Sequence, residues 1–143
     1  MSDIDYYQIL TDIKKLIEDN WTSSRNPSVF IEQDYELISS TKYPIITIHI
    51  DREEHLERVM GGSKSVGIFV AINLIEFHVD GIKEAMTIKF EDSNVLRKII
   101  NDNRNSISGL SDMVVESVYH EEPVTKAGYY CGEVMFIKGL TFA

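Results

Sequence analysis

Apolar residues recur at three- and four-residue steps near the start of the chain, across residues 3–20. Ile13 and Ile17 belong to this stripe, and the charged residues between them lie off it. Such spacing places the apolar side chains on one face of a helix. We therefore predict an amphipathic helix over residues 3–20, with Asp3 as its cap and Asn20 at its end.

The first half of the chain also carries strand patterns. Residues 45–51 alternate isoleucine with polar side chains, which is the period of a half-buried strand, and residues 29–31 predict a shorter one. The strongest strand signal covers residues 66–79, where the alternation reverses after Leu74. One extra residue reverses every later side chain, so we predict a bulge or bend there. Polar residues 52–64 contain two consecutive glycines and predict a flexible connection or hairpin loop.

The second half of the chain predicts one helix and two strands. Residues 93–105 show helical spacing with Ser93 as a possible cap, and residues 83–90 fit either a strand or a helix. Residues 113–120 and 129–137 are rich in β-forming side chains and are separated by turn residues, which favours a hairpin.

This order of elements decides the predicted fold. There is no repeated alternation of strand and helix, so we predict an α+β fold with a mainly antiparallel sheet. It contains a long bent hairpin and packs against two helices. The length of 143 residues fits a single domain that spans the whole chain.

Charge and composition narrow the classes of function. Lys and Arg total 14 against 23 Asp and Glu, a net charge of -9, whereas nucleic-acid binding needs clustered positive charge. We expect no specific nucleic-acid binding. The single cysteine excludes an intrachain disulfide. The opening residues do not resemble a secretion signal, and no apolar run is long enough for a membrane helix. We expect an aqueous, reducing compartment and no membrane partner.

The candidate chemistry is sparse. His49, Asp51 and His78 lie on polar strand positions and would form a metal site only if they met across the sheet; the alternative is that they face solvent. The carboxylates around His55 fit a solvated segment, and Cys131 fits a buried strand residue. The paired glycines lack the spacing of a phosphate-binding loop. We therefore predict no enzyme activity, no cofactor and no required metal.

The order of elements resembles the tail terminator, or tail completion, proteins of long-tailed phages and related viruses. The resemblance rests on two helical stretches, residues 9–17 and 96–100, and on two strands, residues 113–119 and 132–137. It implies a hexameric ring on the end of the tail tube that stops tube growth and docks to head and neck proteins. It also implies a location in the virion tail or neck after assembly in the host cytoplasm. The acidic charge fits a channel through which DNA slides.

Two other readings stay open. The chain fits a small cellular α+β protein-binding module that acts as a cytoplasmic homo-oligomer, or an enzyme with a dispersed site. Assembly into a ring would distinguish a tail terminator from the cellular module. A deep pocket with shifted pKa values would favour the enzyme.

The long hairpin is the predicted interface. Strands usually have about 5–6 residues, so these strands are longer than a domain of this size needs. We predict that the hairpin reaches the next subunit or the tail tube, and that its charges set the register of the contact. The predicted interface residues are Asp51, Arg52, Glu53, Glu54, Glu57, Arg58, Ile75 and Phe77.

Overall fold

The computed structural model describes residues 4–31, 43–58, 64–125 and 127–142, apart from the side chains at 56–58, 64 and 142. It contains a sheet and two helices, which pack on one face of that sheet; we call this the helix face and the opposite one the outer face. The elements are α1 (Tyr6–Asn20), β1 (Ser28–Ile31), β2 (Ile45–Arg58), β3 (Lys64–His78), α2 (Ile82–Asp102), β4 (Ser111–His120), β5 (Val124–Thr125) and β6 (Tyr129–Phe142).

The sheet confirms the predicted α+β class. Its strand order is β1-β2-β3-β6-β4, and β5 pairs with β6 beyond the end of β4. Only β1 and β2 run parallel among the described strands; all other neighbours are antiparallel. The core lies between the sheet and the helices. It includes Ile13, Ile17, Ile48, Ile72, Leu96, Ile100 and Met135.

Helix α1 forms because both of its ends are capped and one face is apolar. The Asp5 side chain accepts a hydrogen bond of 3.0 Å from the backbone N–H of Gln8, and Asn20 donates one of 2.8 Å to the Leu16 carbonyl. Asn20 therefore ends the helix as predicted, while the predicted cap Asp3 lies outside the described residues.

The predicted loop over residues 52–64 was largely wrong. Strand β2 continues to Arg58 and pairs with β3 along this length, with register shifts between Ile50 and Arg52 and between His55 and Arg58. The hydrophilic residues extend the strand because the apolar β3 offers them a ladder of backbone partners. The two glycines fall outside the described residues.

The predicted bulge in β3 was also wrong. Its register with β6 is continuous from Ser65 to His78. Glu76 keeps the helix-face position that follows Leu74, and it is 1 % exposed. The alternation of apolar residues reverses because the helix face changes from apolar to polar side chains there, while Ile75 and Phe77 lie on the outer face.

Helix α2 begins earlier than predicted. It covers residues 83–90, which resolves their ambiguity in favour of a helix, and it ends at Asp102 rather than 105. Ser93 is buried inside the helix and caps nothing; Gly81 stands at the N-cap position without a side-chain hydrogen bond.

The closing strands β4 and β6 pair as the predicted hairpin, and β6 runs to Phe142. Strand β4 is the last strand of the sheet and has register shifts between Ser111 and Val114 and between Val115 and Ser117. The turn after α2 covers its beginning, since the Met113 N–H donates to the Arg104 carbonyl at 2.8 Å.

Candidate functional site

A cluster of polar side chains is buried between the first half of α2 and the sheet. Glu76 on β3 and Glu133 on β6 face Asp92, Ser93 and Lys89 on α2, and all five are at most 3 % exposed. We call this set the inner polar cluster. Ser93 donates a hydrogen bond of 2.9 Å to Glu133, which ties the helix to the sheet through polar atoms.

Arg25 closes the cluster from the loop after α1. Its guanidinium donates to both Asp92 carboxylate oxygens, at 3.2 and 3.1 Å, and to Glu91 at 2.9 Å. The first contact is a bidentate arrangement, the strong form of an arginine–carboxylate pair. Arg25 therefore compensates the charge of the fully buried Asp92 and fixes this side of α2.

The surroundings of Glu76 favour the protonated form of its carboxyl. Burial raises the pKa of its carboxyl to about 10, and its hydrogen bond with Asp92 adds to the shift, whereas Arg25 lowers it. One carboxyl oxygen of Glu76 and one of Glu133 have no hydrogen-bond partner within the described part of the chain. Unsatisfied buried oxygens cost about 1–3 kcal/mol each, so this region is costly to maintain.

The first half of α2 is inverted relative to an ordinary amphipathic helix. Lys89, Asp92 and Ser93 point inward, while Ile82 and Phe90 are 37 % and 44 % exposed. Met86 lies between these two at four-residue spacing and is half-buried. We call Ile82, Met86 and Phe90 the α2 flank. Buried polar groups and exposed large apolar groups are each informative, and here both occur within about three turns.

The α2 flank lies beside strand β4. The Phe90 ring stands edge-on to His120 with centroids 5.7 Å apart, and the Lys89 amine lies 3.0 Å from the His120 Nδ1. The same amine is 4.4 Å from the centre of the Phe90 ring. An apolar ring and two basic groups thus meet at the end of the sheet's last strand.

The outer face of the sheet carries aromatic side chains and long cations. The Arg52 guanidinium lies 4.0 Å from the centre of the Phe69 ring, and the Lys138 amine lies 5.1 Å from it. Because their stems cover the ring, Phe69 is buried. Tyr119 stands edge-on to Phe136 at 5.5 Å and is 62 % exposed.

A concavity of about 290 Å³ lies over this part of the outer face. It is lined by Asp51, Arg52, Phe69, Glu116, Ser117, Tyr119 and Phe136. The side chains of β2 and β4 rise on two sides of a floor formed by β3 and β6. Its aromatic floor and mixed charges suit contact with another protein surface.

The predicted interface residues do not form one site. Asp51, Arg52, Glu53 and Glu54 are exposed on β2, and the side chains of Glu57 and Arg58 fall outside the described residues. Phe77 shares the outer face with Arg52, which pairs with Phe69, but it lies eight residues further along β3. At about 3.3 Å per residue this is roughly 26 Å.

Phe77 and Ile75 instead flank a separate aromatic cluster. The Phe77 ring lies 5.5 Å from Tyr43 and 4.7 Å from Tyr130, measured between centroids. Burial, followed by a hydrogen bond with Tyr130, raises the pKa of Tyr43 to about 12. All the side chains in this cluster are half-buried, so it packs against the outer face of β3 and β6 more than it displays a surface.

The proposed metal ligands are not brought together. His49 on β2 pairs with Ala71, whereas His78 ends β3 opposite Tyr129, seven residues away from Ala71. Among the residues that the structure describes, no group of three His, Cys, Asp or Glu side chains has metal-binding geometry.

The contacts of Glu53 and Cys131, two other potentially reactive side chains, fit a structural role. Glu53 accepts hydrogen bonds from Tyr6 and from His55, and these bonds lower the pKa of its carboxyl in that order of size. Cys131 is buried opposite Glu76, and burial raises the pKa of its thiol, which disfavours the nucleophilic thiolate.

Sequence reasoning missed both the α2 flank and the inner polar cluster. The signal was present in the phase of α2. Extending the stripe of Leu96 and Ile100 back by whole turns places Lys89, Asp92 and Ser93 on the buried side. The sequence did not predict this phase because residues 83–90 fit either a strand or a helix.

No family model and no curated protein matches this chain. Within the described ranges, no helix is long and apolar enough to cross a membrane. Any assignment of function therefore rests on the α2 flank, the outer face and the inner polar cluster that positions them.

Proposed function

We propose that this chain is a structural assembly protein whose subunits join through protein surfaces, in the manner of the tail terminators that it resembles. The observation that carries the proposal is the α2 flank. About three turns of helix display Ile82 and Phe90 to solvent while they bury Lys89, Asp92 and Ser93. A monomer gains nothing from this arrangement, whereas an assembling subunit gains a contact surface.

The energetics favour a contact made by the flank. Burying a Met, Ile or Phe side chain stabilises an interface by roughly 1.5–3 kcal/mol at most. The unsatisfied oxygens of the inner polar cluster cost folding free energy in the monomer and in the assembly alike, so they do not reduce this gain. The cluster also holds the helix in one rotation. The bonds of Arg25 to Asp92 and of Ser93 to Glu133 prevent α2 from turning its apolar side inward.

The outer face supplies a second surface of the same kind. Tyr119 is exposed beside Phe136, and aromatic side chains are enriched at protein interfaces. In the tail terminator reading, such surfaces would join subunits into a ring that ends the tail tube and docks to the neck. The alternative is a small cellular binding module that forms a homo-oligomer, and the same surfaces would serve it.

The test is the mass of the purified chain by light scattering over a wide concentration range, followed by electron microscopy. We expect a defined oligomer several times the 16.4 kDa mass of the chain, seen as a ring. A small closed oligomer without a central opening would favour the cellular module. A chain that stays monomeric at all concentrations contradicts both forms of the proposal.

A further inference from the structure

Both ends of the sheet leave part of a strand edge without a described partner. On β2, the pairing with β1 ends at Ile48, and residues 49–58 continue beyond it. On β4, the turn after α2 bonds the strand's beginning at Met113, and nothing in the described ranges pairs with the outer edge after that. Unpaired backbone groups of this kind are a template for another strand.

Bulges leave only a short regular stretch on each of these two edges that lack a described partner. In β2 the register is continuous over residues 52–55, between two shifts. In β4 it is continuous over residues 117–120, after the second shift. A bulge disrupts the ladder locally, so pairing with another chain is limited to these two stretches of equal length.

We propose that residues 52–55 of one copy pair with residues 117–120 of a second copy, so that the sheet continues from subunit to subunit. The inference rests on the proposed function and specifies its interface. Strand β2 is antiparallel to β3, β3 to β6, and β6 to β4. The two edges therefore run in opposite directions, and a second copy with its helices on the same side adds an antiparallel pair.

The charges on the two edges complement each other on both faces. On the helix face, β2 presents Glu53, and the end of β4 presents His120 beside Lys89. On the outer face, β2 presents Arg52, and the exposed Glu121, directly after β4, lies beside Gly132 on that face. Opposite charges at matching faces favour this partner over a second copy of the same edge.

The faces also select a register. Directly opposed residues of an antiparallel pair share a face, and Glu53 shares the helix face with Val118 and His120. Only the register that sets Glu53 opposite His120 brings it next to the Lys89 amine, which lies 3.0 Å from the His120 Nδ1, and this register sets Glu54 opposite Tyr119. An added strand in this position lies beneath Phe90, which packs on His120 and would be covered by the contact.

This contact joins two different edges, so it is heterologous. Such contacts repeat from copy to copy and either close into a ring or extend as a filament. The interface thus accounts for an assembly of several subunits, whereas pairing of two identical edges would stop at a dimer.

Mixed single-cysteine chains test the inference. In a Cys131→Ala background, one chain carries Glu54→Cys and the other carries Tyr119→Cys, and the mixture is oxidised mildly. We expect a disulfide-linked dimer in the mixture and none with either chain alone. Asn94→Cys, exposed on α2, is the control for random collision. Ser117→Cys reports the other register, and preferential linkage to it would overturn the assignment of Glu53 to His120.

A cross-link formed by either chain alone, or an oligomeric mixture without any cross-link, overturns the pairing while the proposed function stands. A monomeric wild type contradicts the proposed function itself. Hydrogen exchange of the wild-type chain is a second test that needs no variants. Amides in residues 52–55 and 117–120 should exchange several-fold more slowly in the oligomer than after dilution, and equal rates would contradict the proposal.

Discussion

Arg25 and Asp92 form a two-pronged ion pair, with bonds of 3.2 and 3.1 Å, that joins the loop after α1 to the middle of α2. Asp92 has no exposure to solvent, and Arg25 is the cation that contacts it among the described residues. The pair therefore determines which side of α2 faces the sheet and which side is displayed.

Replacing Arg25 by alanine should destabilise the fold by about 3 kcal/mol, at the low end for breaking a buried pair because Arg25 is partly exposed. The cost arises because the Asp92 charge stays buried without its partner. Urea unfolding measures it. Arg104→Ala is the control, since its pair with Asp112 is exposed and should contribute less than about 1 kcal/mol. Equal losses of unfolding free energy in the two variants would show that the buried ion pair stabilises the fold no more than the exposed one.

Glu76→Gln should remove a dependence of stability on pH. The pKa of Glu76 is raised to about 10 in the folded chain from 4.5. Its contribution is therefore fully present below pH 4.5 and is lost as the pH rises toward 10, by at most about 1.4 kcal/mol per pH unit. Glutamine keeps the neutral shape and has no proton to lose, so the variant should be the more stable chain at neutral pH.

The measurement for this variant is the free energy of unfolding at several pH values between about 5 and 7.5, below the range where a cysteine thiol titrates. Glu122→Gln, on an exposed residue after β4, is the control and should leave the wild-type slope intact. Parallel pH curves for wild type and Glu76→Gln would mean that Glu76 is ionised in the folded chain.

Ile99→Asp should cost several kcal/mol, because it buries a charge without a partner. The predicted position of Ile99 beside Leu96 in the core is confirmed, as both are buried on α2. Thermal melting reports the loss, and Asn101→Asp on the exposed side of the same helix should melt close to the parent.

The chain should keep its melting temperature after treatment with a strong chelator. The separation of His49 from His78 along the sheet is the physical reason. A large drop in melting temperature that added zinc reverses would restore the idea of a metal site.

The regular parts of the fold were predictable because their local patterns agree with their packing. Helix α1 has one apolar stripe and a terminating Asn20, and β4 and β6 are rich in β-forming side chains. The strand over residues 52–58 was not predictable, because no local pattern distinguishes a charged edge strand from a loop. Its structure depends on pairing with β3.

The candidate site was hidden for a related reason. Lys89 and Asp92 look like surface residues of a helix, and the partners that make their burial possible, Arg25 and His120, are distant in sequence. Phe90 looks like a core residue by type. Only the assembled fold shows that the polar side faces inward, which makes the apolar side available for contact.

The most direct test of the account compares self-association of the wild type, Phe90→Ser and Tyr7→Ser by analytical ultracentrifugation. Tyr7 is 70 % exposed on α1, away from the flank, so it matches the loss of an exposed aromatic side chain. The account predicts that Phe90→Ser weakens association by tenfold or more, equivalent to about 1.4 kcal/mol, while Tyr7→Ser assembles like the wild type. Association that is unchanged by Phe90→Ser in a folded chain would contradict the claim that the α2 flank is the contact surface.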